Sequence, residues 1–322
     1  MKVIINRKTG LIDLYEVDGK EYINKSGKIE VYKDNEDPWG MNVNSFTDYE
    51  GEFTLMSDEE ANEFVGYSDE KLPNVRVVED GDVRIKVQAF FKHDRSVAVV
   101  EYTIPKNGTY VDAEILMYSN EPNKMIKYTL DTKLDGTPYG ETAFGYEELP
   151  HDETEAVYQK WCGLKDDDKN LYVVNRGIYG GSFTNSTIKL SLLRTPIYAA
   201  HPIEERQIAP HDRFIKHIDM GERSFSIRIT TEPNIAREAQ IYNEEPQLMS
   251  FFPSGEGVRN TGVISVDSPD IILSSIKKNN GKHQLNLYNA TNAEKDAEVS
   301  LLKDNTKINL HFRGHEIKQL EV

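Results

Sequence analysis

The chain has 322 residues and carries 54 Asp and Glu against 38 Lys and Arg, a formal charge of -16. Such an excess of carboxylates repels phosphate backbones and anionic lipid head groups, which excludes nucleic acid and membrane as expected partners. Twelve Phe, 17 Tyr and two Trp supply enough bulky apolar surface for a packed core, so the charge does not signal disorder.

The length fits one large β domain and a smaller one. Cys162 is the single cysteine, which rules out an intrachain disulfide and a multi-cysteine zinc site and fits a reducing compartment. Residues 1–14 lack the uninterrupted apolar segment of a secretory signal, and no 18 consecutive residues are apolar. The expectation is therefore a cytoplasmic protein.

In chain order, the first distinct element is Ser57 to Val65, SDEEANEFV, where a Ser cap followed by acidic first-turn residues predicts one short helix. Period-two alternation then dominates, the pattern of strands with one face on a core and the other in water. Val83, Ile85, Val87, Ala89 and Phe91 fall on one face, with Arg84, Lys86 and Gln88 opposite. The pattern returns at Ala98, Val100, Tyr102 and Ile104, then at Val111, Ala113, Ile115 and Met117. It returns again at Ile188, Leu190 and Leu192 and at Phe225, Ile227 and Ile229. Asp80-Gly81, Asn107-Gly108 and Asp135-Gly136 separate such runs and mark turns.

Around TEPNIAREAQIYNEEP, Thr231 to Pro246, the alternation lapses between two prolines, so the domain boundary is expected there. The division reads as a large domain over 1–232, a linker over 233–246 and a small domain over 247–322. Six short strands are expected in the last part: Gly262 to Val266, Ile271 to Lys277, Gln284 to Tyr288, Glu298 to Leu301, Lys307 to Phe312 and Glu316 to Leu320. That density predicts a small sandwich.

Several segments, in order and with fitting spacing, resemble the carboxy-terminal region of family 38 glycoside hydrolases, the α-mannosidases. They are NRKTGLIDLYEVDGKEYI (6–23), DPWG (37–40), VRVVEDGDVRIKV (75–87), EPNKMIKYTL (121–130) and YQKW (158–161). The most specific is LYVVNRGIYGGSFTNSTIKLSLLRTP (171–196), an Asn-containing loop with Tyr-Gly leading to a strand that ends Leu-Leu-Arg-Thr-Pro. LNLYNATNAEKDAEVSL (285–301) and GHEIKQLEV (314–322) are similar to the family's final sandwich.

The resemblance implies an all-β fold, a large galactose-mutarotase-like β-supersandwich followed by a small β-sandwich. In the full enzyme these parts pack against a zinc-dependent catalytic barrel and a helical bundle. Zinc and the paired carboxylates of retaining hydrolysis belong to that barrel, so no cofactor and no catalytic residue is expected in this chain. The expected partners are the barrel and helical domain, in the same chain or as a split subunit, and a mannose-containing glycan.

In family members, loops of this domain reach over the barrel and line the sugar pocket. By that resemblance Arg176 and Tyr179 are the candidate sugar-contacting residues, with Asn175 and Gly180 holding the loop's shape. The competing reading is a glycine-rich hairpin whose Arg only pairs with a nearby acid. Trp39 is a further candidate, since an aromatic plane suits the C–H face of a pyranose, although packing at a domain seam explains it equally well. Arg194, before Thr195-Pro196, reads as structural, tethering the next loop through carbonyl oxygens.

His201, His211 and His217 lie ten and six residues apart, a spacing that matches no compact metal-ligand motif. Adjacent pairs such as His151-Asp152 and His211-Asp212 point to opposite faces of a strand, and the pairs Glu147-Glu148, Glu204-Glu205 and Glu244-Glu245 read as solvated loop residues. Two other function classes stay open: a free-standing carbohydrate-binding module, and a sugar mutarotase using His211 or His217 with a carboxylate.

Overall fold

The structure is a computed structural model, and it describes residues 1–34, 43–66, 71–197, 216–250, 252, 262–302 and 305–322. Trp39 with its DPWG segment, the Glu204-Glu205 pair, His201 and the His211-Asp212 pair lie outside the described residues. The chain divides into two compact units, the first of residues 1–140 and 148–232, the second of 141–147 and 233–322.

The first unit is an all-β sandwich. Its largest sheet runs in the order Thr137–Thr142, Trp161–Lys165, Asn170–Asn175, Gly221–Thr230, Tyr110–Ser119, Ser96–Pro105, Arg84–His93 and Thr54–Leu55, with Val75–Asp80 also paired to Arg84–His93. Its six-stranded sheet runs Ala156–Val157, Gly180–Phe183, Thr187–Arg194, Lys124–Asp131, Lys28–Lys33 and Tyr49–Glu52. One apolar core draws on both sheets. Ala89, Val100, Ala113, Ile115, Ile227 and Ile229 come from the first, and Val31, Ile126, Tyr128, Leu130, Ile188 and Leu190 from the second. A three-stranded sheet of Lys2–Ile5, Ile12–Val17 and Lys20–Ile23 adds Ile12, Tyr15 and Val17 to that core.

Alternation sets the register. Ala89 pairs with Val100, Val100 with Ile115 and Ile115 with Phe225, so the same face of four long strands stays apolar, whereas a slip of one residue would turn each inward side chain to water. Two positions depart from the sequence reading. Val83 lies in the turn before its strand and is 77% exposed. Phe90, on the polar side of the period, is buried with Met56 and Ala61 because the helix Asp58–Val65 covers that patch of the outer face. This helix carries a full capping box: Glu60 N donates to Ser57 Oγ at 3.2 Å and Ser57 N to Glu60 Oε2 at 2.9 Å, which satisfies two of its free amides.

Arg194 grips a carboxylate. Its Nε and Nη2 donate to the two oxygens of the fully buried Asp34 at 2.8 and 2.9 Å, and its guanidinium lies 4.7 Å from the Phe46 ring centre. The planar fork matches the carboxylate, so the ends of two strands that flank Lys124–Asp131 are joined without leaving a buried charge uncompensated.

The second unit is a small sandwich of two three-stranded sheets, Ile264–Val266, Lys295–Leu301 and Thr306–Phe312 against Ile271–Asn279, Lys282–Asn289 and Ile317–Glu321. Ile271, Leu285 and Leu287 of one sheet meet Ala297, Val299 and Phe312 of the other. The stretch 233–246, expected as a linker, holds a helix, Ile235–Asn243. Ile235, Ala239 and Tyr242 are its buried residues and form a stripe at helical spacing. Three apolar positions between two prolines are too few to stand out in the sequence.

Candidate functional site

The loop 175–180 joins the strand Asn170–Asn175 of the large sheet to Gly180–Phe183 of the smaller one, so it closes one end of the sandwich. Asn175 is 1% exposed. Its Oδ1 accepts from Ile178 N at 2.8 Å and its Nδ2 donates to Gln159 O at 2.9 Å. The Asn side chain thus imitates a backbone turn, and Ile178, 2% exposed, anchors the loop in the core. Gly177 adopts φ +88°, a conformation costly for any residue with a Cβ.

Arg176 and Tyr179 are exposed, Tyr179 by 57%, and both belong to the same short loop. The backbone at Tyr179 and Gly180 is held by Tyr158, whose N donates to Tyr179 O at 3.2 Å and whose hydroxyl donates to Gly180 O at 2.9 Å. Burial pushes the Tyr158 phenol well above its usual 10, so it remains a donor. Val157, one residue earlier, is 78% exposed and pairs with Gly180. Arg176, Tyr179 and Val157 therefore present a cation, a phenol ring and an aliphatic group to solvent from one clamped loop.

A set of residues that the sequence did not single out holds Tyr158 in place. Lys127, whose side chain is fully buried, forms an ion pair with Glu155 and donates to Ser182 Oγ at 2.7 Å. Ser191 Oγ donates to the other Glu155 oxygen at 2.7 Å, and Lys189 Nζ meets Glu153 at 2.6 Å. These bonds strap the segment 153–157 across the six-stranded sheet just before Tyr158. Burial pushes the Lys127 amine down, and Glu155 opposes that shift. In EPNKMIKYTL, Lys127 occupies a polar position of the period, so it reads as a solvent-facing residue.

No metal centre is assembled: among the described residues no group of three or more His, Cys, Asp or Glu stands where it could hold an ion. His217-Ile218-Asp219 has a His-x-Asp spacing. His217 Nε2 lies 3.1 Å from Asn123 Oδ1 and Asp219 pairs with Arg223 at 3.2 Å, so the two serve different partners. Cys162 is fully buried and burial raises its thiol far above the usual value, which leaves it without thiolate character. In the second unit an open groove of about 460 Å³ is lined by Asp267, Asp296, Glu298, Asn309 and His311. Ala297 and Leu310 complete this open face, which contains none of the loop residues.

Comparison with known proteins gives these features a family. The family model described as the glycosyl hydrolases family 38 C-terminal domain matches residues 1–202. Two solved structures from Enterococcus faecalis share the fold. One is described as an alpha-mannosidase from strain V583, with a TM-score of 0.73, 12% identity, and 99% of this chain and 41% of that one covered. The other is described as a protein in glycosyl hydrolase family 38, with a TM-score of 0.73, 11% identity and coverage of 99% and 43%. At such identity they speak for the fold alone. This chain spans less than half the length of either. No curated protein matches the sequence. On the match over residues 1–202, this chain belongs to glycoside hydrolase family 38, as its C-terminal domain.

Proposed function

We propose that this domain serves an α-mannosidase without performing the chemistry, by bracing the catalytic barrel and completing its sugar pocket with the loop 175–180. The observation that carries this reading is the clamped exposure of Arg176 and Tyr179: the loop's backbone is fixed by Asn175 and Tyr158 while these two side chains point to solvent. Fixing such groups in advance lowers the entropy cost of contacting a ligand. A guanidinium and a phenol are suited to sugar hydroxyls and to the apolar face of a pyranose ring.

On this reading a mannose-containing glycan is the ligand and the zinc site lies in the barrel. The cytoplasm is the proposed compartment, supported by a single thiol that is buried. The test is steady-state hydrolysis of an aryl α-mannoside by the assembled enzyme, with Arg176→Ala and Tyr179→Ala in this domain. The expected result is a rise in KM of roughly five- to thirty-fold, about 1–2 kcal/mol of lost sugar contact, with melting temperature unchanged. Unaltered KM and kcat in both variants would remove the loop from the pocket.

A further inference from the structure

Asn-Gly occurs at Asn107-Gly108 and again at Asn280-Gly281, and the fold treats the two pairs differently. Asn280 and Gly281 form the turn between Ile271–Asn279 and Lys282–Asn289, closed by the pair Asn279 and Lys282. Both have positive φ, +48° and +84°, as a type I′ turn requires. Both are exposed, and a methyl group on Gly281 would meet nothing within 4 Å. At the other pair, a methyl group on Gly108 would lie 2.8 Å from Pro105 Cγ and 3.3 Å from Tyr110 Cε1. That turn is also tied on both sides, since Lys106 N donates to Val83 O at 2.8 Å and the Tyr15 hydroxyl donates to Thr109 O.

We propose that Asn280 is a modification site, at which the side-chain amide is lost to attack by the chain's own backbone. Gly281 N bonds to Asn280 Cγ, its proton leaves with the side-chain nitrogen as ammonia, and a succinimide ring closes. Water then opens the ring: cleaving the new bond gives aspartate, and cleaving the original peptide bond gives isoaspartate. The ring closes only if the Gly281 amide can swing onto the side chain, so an open turn reacts before one packed against Pro105 and Tyr110. The tip is also cationic: Lys277, Lys278 and Lys282 are exposed around it, and nearby positive charge stabilises the amide anion that attacks. The fold separates the products as well. Asp18-Gly19, between Ile12–Val17 and Lys20–Ile23, has φ +51° and +76°, the same turn with a carboxylate already in place. Aspartate at this position therefore keeps the hairpin, whereas isoaspartate adds a backbone carbon to a turn whose length sets the register.

The experiment is peptide mapping by mass spectrometry of the full chain after incubation at mildly alkaline pH, folded and in urea, with fragmentation that separates aspartate from isoaspartate. The expected result in the folded chain is conversion at Asn280 roughly ten-fold or more faster than at Asn107, whose turn must open locally first. In urea the two rates are expected to converge. Asn280→Asp is expected to keep the melting temperature of the parent chain, and material rich in isoaspartate to show faster amide exchange at Lys282. Comparable rates at the two sites in the folded chain overturn the proposal. A ratio that persists in urea overturns it too, because the difference would then lie in the local sequence and not in the fold. A lower melting temperature for Asn280→Asp would contradict the likeness to Asp18-Gly19 and with it the assignment of the two products.

Discussion

A methyl group on Gly181 would lie 2.6 Å from the Lys189 carbonyl oxygen, whereas one on Gly180 would meet nothing closer than 3.8 Å. The glycine-rich loop therefore needs Gly177 for its φ and Gly181 for its strand contact, while Gly180 contributes a carbonyl that any residue supplies. Gly181→Ala is expected to lower stability by about 1–3 kcal/mol in urea unfolding, and Gly180→Ala to leave it within about 0.5 kcal/mol. The sequence shows three glycines in six residues, but which of them face a neighbouring carbonyl depends on strand pairing made elsewhere in the chain. Lys165 gives a second residue-level prediction. Its amine lies 4.6 Å from the Tyr139 ring centre and 5.9 Å from that of Trp161, and burial pushes it down from 10.5 to about 8. Between about pH 8 and 10.5 the unfolded chain thus binds more protons at this site than the folded one, so the site's contribution to stability rises with pH across that window. Lys165→Met is expected to flatten that rise, seen as a smaller gain in urea midpoint from pH 8 to 10 than in the parent chain. An identical gain in both would contradict the assignment.

At the scale of elements, periodicity carried most of the fold. The strands built on alternating residues lie where the period puts them, all six strands expected in the small sandwich form, and the Ser57 capping box starts a helix. What escaped the sequence depends on partners distant in the chain. Phe90 is buried by a helix some 30 residues earlier; the helix Ile235–Asn243 shows itself only through three buried positions; and Lys127 finds Glu155 and Ser182 across strand boundaries. The Arg194–Asp34 pair is of the same kind, joining strand ends 160 residues apart. Arg194→Met would leave a fully buried carboxylate without its counter-charge, and the expected cost is about 3–5 kcal/mol, measured as a lower urea midpoint. A loss below about 1 kcal/mol would place the pair among screened surface contacts. Asn175→Ala acts on a smaller scale, freeing the loop at Ile178 and Gln159 and raising exchange of the Ile178 amide while the sheets stay intact.

For the whole molecule, the sequence resemblance reached the family and the all-β architecture, because the segments that carry it are the strands and turns of the fold itself. It did not reach the strap that supports the candidate loop, since Glu153 and Glu155 look like any other carboxylates in an acidic chain. The account holds that these sheets support a hydrolytic partner that supplies both the metal and the attacking carboxylate. The most direct test is the rate at which the purified chain alone releases 4-nitrophenol from 4-nitrophenyl α-mannoside in the presence of zinc. The account predicts a rate indistinguishable from buffer; turnover on the order of 1 s⁻¹ or faster, ordinary for an enzyme, would contradict it.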